Sequence, residues 1–148
     1  MALNPDFLGR TWPATSPYRV GREKIREFAD AIGDDNPLCS DVTAARAAGH
    51  PDVVAPPTFA VVVTRPALDV VLFDPDLGLD YSMVVHGEQR FRYERPIFAG
   101  DELTVESRLT DLVSRAGNDI LTVAAEVRDG DDSLVVTATA VIVARGTA

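Results

Sequence analysis

Between Ile32 and Cys39 the chain reads Ile-Gly-Asp-Asp-Asn-Pro-Leu-Cys, which sets two carboxylates, Asp34 and Asp35, an amide, Asn36, and a thiol, Cys39, close together. A carboxylate and a thiol at this spacing offer a proton donor or acceptor and a nucleophile. The same residues also make a well-formed loop, with a helix end, a polar turn and an Asx-type turn former at Asn36. A free thiol titrates at about 8.5, and higher when it is buried in apolar surroundings. Cys39 therefore reads either as an inert small hydrophobe or as a base or nucleophile. His50, in a Gly-His-Pro loop, reads as a turn or surface residue. Arg90, Arg92 and Arg95 form a basic cluster that would suit an acidic protein partner, or else a solvated strand face paired with Glu88 and Glu94. Two histidines and one cysteine make no zinc-type spacing, and no phosphate-binding glycine motif occurs, so neither a metal nor a cofactor is expected.

The elements that must position these residues fall into two halves. From Gly21 to Asp74 the periodicity is helical. Ile25, Phe28, Ala29 and Ile32 recur at i, i+3, i+4 and i+7, which predicts an amphipathic helix over Arg22–Ile32 closed by Gly33. Asp41 reads as the N-cap of a short helix ending before Gly49. From Thr58 to Phe73 the chain is apolar nearly all round and too long for a typical strand, so a helix buried on every side is expected. Pro66 predicts a kink or break inside it. From Tyr81 onward the pattern is that of strands, at Met83–Glu94, Glu102–Arg115, Asp119–Asp129 and Ser133–Ala144. Joined by short loops, these four predict an antiparallel meander whose concave face holds the long helix, an α+β arrangement.

Composition sets limits on function. The chain has 148 residues, 46% hydrophobic and 25% charged, a size and balance that predict one globular domain over 1–148. Acidic residues outnumber basic ones 23 to 14, for a net charge of −9, so no nucleic-acid partner is expected. One cysteine excludes an internal disulfide and fits a reducing, cytoplasmic setting. The longest apolar run, Leu134–Ala144, is too short to span a bilayer, and the first ten residues carry Asp6 and no apolar stretch, so neither a membrane span nor a signal peptide is expected.

The order of these features resembles the MaoC-like, R-specific hydratase/dehydratase family of hotdog-fold proteins over about residues 5–145. Gly33, Asp34, Asn36, Pro37 and Leu38 match its G-D-x-N-P-apolar loop, and Phe91, Tyr93, Pro96, Gly100 and Asp101 match a later strand and its turn. The opening Met1–Ala2–Leu3, Val20 and the run from Arg22 to Phe28 are similar to short N-terminal-type members. Those members include non-catalytic subunits of heterodimeric (3R)-hydroxyacyl-ACP dehydratases. The resemblance implies a hotdog fold, an acyl-ACP or acyl-CoA thioester as substrate, and a homodimer or a heterodimer with a catalytic MaoC-like subunit. It places the reaction in fatty-acid synthesis or elongation. It also implies that Asp34 holds the family's catalytic Asp position and Cys39 its His position, while Pro56–Pro57 replaces a His-Gly pair at the start of the central helix. Asn36, Pro57, Thr58, Phe59, His86 and Gly87 are the implied substrate-binding residues, with His86 facing an acyl tunnel, a subunit interface or solvent. Loss of the His and of a glycine amide points away from a self-sufficient site. A self-sufficient hydratase or thioesterase, and a non-enzymatic acyl-binding module, remain the alternatives.

Overall fold

The helical pattern that begins after Gly21 forms α1, Arg22–Ile32, in a computed structural model that describes residues 3–147. Ile25 and Ala29 are buried, and Phe28 meets Phe59 edge to face, with ring centroids 5.5 Å apart. Ile32, expected on the same buried face, is 51% exposed, because it stands in the last turn, where the helix leaves the core. Gly33 then takes a left-handed φ of 72°, a conformation open to glycine without steric cost, and ends α1. Asp41 accepts the Thr43 and Ala44 amides and starts α2, Val42–Ala47.

The central helix, α3, spans Ala60–Leu72, so Thr58 and Phe59 belong to the turn that leads into it. It packs against the sheet through Val63, Thr64, Ala67, Leu68, Val71 and Leu72. The expectation of burial on every side holds only for the sheet-facing side. Arg65, Pro66 and Val70 lie on an exposed stripe, with Val70 53% exposed. That stripe also explains why the expected break at Pro66 does not occur. The Pro66 ring lies on that exposed stripe, and the helix continues through the proline.

Among the described residues, β1 (Thr11–Trp12), β2 (Tyr18–Arg19), β3 (Val84–Tyr93), β4 (Glu102–Arg115), β5 (Asn118–Arg128) and β6 (Leu134–Ala144) form one antiparallel sheet. Its order is β1-β4-β5-β6-β3, with β2 also on β4. The expected four-strand meander is corrected here. β4, β5 and β6 follow one another, but β3 pairs with β6 and is separated from β4 by two strands. The connection from Glu94 to Asp101 is drawn across the sheet because its backbone pairs with the segment before α3. Ala55 donates to the Ile97 carbonyl at 2.8 Å, and Ala99 donates to the Val53 carbonyl at 3.1 Å. Along β5, buried and half-buried residues alternate, with Leu121, Val123, Ala125 and Val127 facing α3.

Candidate functional site

Three segments meet at the N-terminal end of α3 and enclose a cleft of about 430 Å³. The first is the turn after α1, built by successive short-range hydrogen bonds. The Asp34 amide closes α1 on the Ala29 carbonyl, the Asp34 carboxylate accepts the Asn36 amide at 3.1 Å, and the Asn36 side chain accepts the Leu38 amide at 3.1 Å. Pro37 then opens a single 3-10 turn that sets Cys39 into the core. The second segment is Val54–Pro57, tied to the first by the Val54 amide on the Leu38 carbonyl at 2.8 Å. The third is the end of β3 with the start of the crossover, Tyr93–Ile97. The lining is largely apolar, from Leu38, Val54, Ala55, the three prolines Pro56, Pro57 and Pro96, and Ile97.

The polar groups of the cleft are mostly committed to the protein itself. Burial pushes the Cys39 thiol above its ordinary value, and the nearby Asp34 charge pushes it further, so the thiolate is disfavoured at neutral pH. Tyr93 donates its hydroxyl to the Pro57 carbonyl at 2.6 Å, and burial raises its pKa to about 12. Arg95 binds both carboxylate oxygens of Asp101, at 2.9 and 3.0 Å, and reaches Asp129 at 3.2 Å. Asp101 also accepts the Phe98 amide, so this cluster fastens the crossover to the β5–β6 turn. Arg22 grips Asp52 through two bonds of 2.9 and 2.7 Å and steadies the residues just before Val53.

Of the residues expected from the sequence, the structure brings Asp34, Asn36, Cys39 and Pro57 together in the cleft. It does not bring the others there. Thr58 is exposed beside the cleft, and Phe59 is fully buried against Phe28. His86 lies on the outer strand β3, exposed, with its ring nitrogen near the Glu88 carbonyl. It stands seven positions before Tyr93 on the strand, about 23 Å at strand rise. Gly87 is the extra residue of a bulge between His86 and Glu88. His50 is half-buried and packs on Phe98. Each arginine of the basic cluster has a carboxylate beside it: Arg90 pairs with Glu88 at 3.3 Å, Arg92 with Glu94 at 3.8 Å, and Arg95 with Asp101 and Asp129. This favours the paired strand face over a free basic patch.

A family model described as the FAS1-like, dehydratase domain region matches residues 6–138. The chain belongs to this MaoC-like dehydratase family. A UPF0336 protein of Streptomyces coelicolor is 57% identical over 145 residues, covering 98% of this chain and 97% of that one. A UPF0336 protein of Saccharopolyspora erythraea is 55% identical over 148 residues, covering 100% and 95%. Among solved structures, a MaoC-like dehydratase superposes with a TM-score of 0.85 at 34% identity, over 94% of this chain and 42% of that longer one. The HadBC (3R)-hydroxyacyl-ACP dehydratase complex of Mycobacterium tuberculosis gives 0.83 at 29% identity, over 95% and 99%. The α+β architecture described above is thus the MaoC hotdog fold.

Within this MaoC-like chain, Tyr93 is the cleft residue that sequence reasoning placed only in an aromatic strand pattern. The signal available for it was its position next to the Pro96–Gly100–Asp101 turn. Val54, Ala55 and Ile97 carried no signal, since their place in the cleft follows from the crossover pairing. Among the described residues, no helix is long and apolar enough to cross a membrane.

Proposed function

We propose that this chain is the acyl-chain-holding, non-catalytic subunit of a (3R)-hydroxyacyl-ACP or -CoA dehydratase of fatty-acid synthesis or elongation, working with a catalytic MaoC-like partner. The observation that carries the reading is the character of the cleft: Asp34 and Cys39 both line it, and Cys39, which the resemblance sets at the family's His position, is a buried thiol that burial pushes toward its protonated form. Elimination of water from a 3-hydroxyacyl thioester requires a base for the α-proton and an acid for the departing hydroxyl, and a group titrating near neutrality performs both well. A thiol pushed above its ordinary value does neither at neutral pH. The enolate oxygen also needs a donor, and Pro57 has no N–H to give. The apolar lining suits a hydrocarbon chain.

Two features support a partner. The HadBC relative is itself a dehydratase complex. The outer strand β3 and the stripe of α3 also leave an apolar surface uncovered, where Val70, Phe73, Tyr81, Met83 and Val85 are 39–58% exposed. Phe73 and Tyr81 stack there with centroids 4.7 Å apart. The test is hydration of a short 2-enoyl-CoA by the isolated chain and by the chain co-purified with an untagged partner from its host. The expected result is no turnover alone and turnover with the partner. Asp34→Asn should leave the complex within about threefold of its activity, whereas a loss of about 10²-fold would mark Asp34 as a working acid–base group. Turnover by the chain alone would establish a self-sufficient hydratase instead.

A further inference from the structure

We propose that Tyr93 is a specificity-determining residue of the cleft: it commits its hydroxyl to the protein backbone, so that the α3 end of the cavity receives the hydrocarbon part of a ligand and is indifferent to a thioester carbonyl. The inference rests on the acyl-holding reading above and deepens it. Tyr93 lines the cleft with Pro56, Pro57 and Cys39, and its hydroxyl donates to the Pro57 carbonyl at 2.6 Å. The hydroxyl thus borders the cleft beside α3 with its proton already given away. The other strong donor of the wall, Arg95, is taken by Asp101, Asp129 and the Pro96 carbonyl. Because burial raises the Tyr93 pKa to about 12, the hydroxyl keeps its proton through the physiological range and the contact is not released by pH.

The experiment compares two probes that differ at one atom pair: S-octanoyl-N-acetylcysteamine, a thioester, and S-octyl-N-acetylcysteamine, with CH₂ in place of C=O. Calorimetric titration of the wild-type chain should give affinities equal within about twofold. Tyr93→Phe removes the hydroxyl and leaves the Pro57 carbonyl, an acceptor, unpaired on the cleft wall, so the variant should favour the thioether by about fivefold or more, the cost of facing a thioester oxygen with an unpaired acceptor. A wild-type chain that already prefers the thioester fivefold overturns the proposal. So does a folded Tyr93→Phe with an unchanged ratio, and in both cases the acyl-holding reading stands. Tyr93→Met, which also lacks the hydroxyl, serves if Tyr93→Phe does not fold. Failure of the wild-type chain and of its complex to bind either probe overturns the acyl-holding reading, and this proposal with it.

Discussion

The two ends of α3 are packed with different side chains. Around its C-terminal half, Leu68, Val71 and Leu72 meet Trp12, Leu77, Leu109, Leu121 and Ile142. Around its N-terminal half, Ala60, Val63 and Ala67 meet Cys39, Ala55, Ala125, Val127 and Ala138. Leucines and a tryptophan fill the space between helix and sheet at one end. At the other end alanines and valines stand beside Ile25, Phe59, Ile97 and Leu103, and the cleft opens there between the turn after α1, Val54–Pro57 and Tyr93–Ile97. A cavity costs the dispersion contacts its lining would otherwise make, so an open end needs a closed end that secures the helix. The N-terminal segment completes the closed end. Leu3 and Phe7 are buried in it, and the Trp12 indole donates to Asp74 at 3.2 Å.

One substitution made at both ends tests this contrast most strongly. Leu121→Ala, in the closed end and fully buried, should cost about 2–5 kcal/mol, since the void it opens cannot collapse. Leu38→Ala, half-buried on the cleft wall, only widens an existing space and should cost about 1 kcal/mol. Urea unfolding of both variants measures the difference, and equal losses would show that the two ends do not differ in packing.

The closed end also carries a buried carboxylate. Asp119 is 2% exposed, accepts the Leu3 amide at 3.0 Å and is hydrogen-bonded by Ser114. Burial alone would raise its pKa, but the bonds from Ser114, the Leu3 amide and Thr147 outweigh burial and hold it below the usual carboxylate value. A folded value below the unfolded one, about 3.9, contributes stability at higher pH that is lost as pH falls through the folded value. Asp119→Asn should therefore cost about 1–3 kcal/mol at pH 7. The difference from wild type should shrink below about pH 4, where both side chains become neutral. A gap that stays constant from pH 7 to pH 3 would assign the loss to geometry and not to charge.

How much of this contrast is legible in the sequence depends on whether a feature is local. α1 carries a repeating apolar face, and its limits follow from that face and from Gly33. The turn that holds Asp34, Asn36 and Cys39 is equally local, each side chain bonding an amide two residues on. The placement of β3 is not local. Alternation in Gln89–Tyr93 specifies which face turns inward, but nothing in it selects β6 over β4 as neighbour. The choice is made by pairing between residues about forty apart, Val53–Ala55 with Ile97–Ala99, and the third wall of the cleft comes with it. The Tyr93–Pro57 bond belongs to the same class. β1 and β2, two residues each, are too short to hold any period. The exposure of Val70 and Phe73 was hidden by composition, since an apolar residue turned toward an uncovered surface is written with the same letters as one turned toward the sheet.

The smallest expected effect lies at the open end, in the Arg22–Asp52 pair that steadies the approach to the cleft wall. The Arg22 hydrogen bond is the largest of the influences that bring the Asp52 pKa down to about 2. Its contribution to stability is therefore present above about pH 4, the unfolded value, and is lost as pH falls from there through about 2. The Arg22 side chain is more than half exposed, so water and salt screen the pair, and Arg22→Ala should lower stability only slightly at pH 7. The loss should shrink further in high salt and vanish below about pH 2, where Asp52 takes up its proton. Thermal unfolding of wild type and variant across that pH range measures it. A large loss, or one that survives acid and salt, would mean that the stem of Arg22 packs the open end more firmly than the contrast between the two ends of α3 allows.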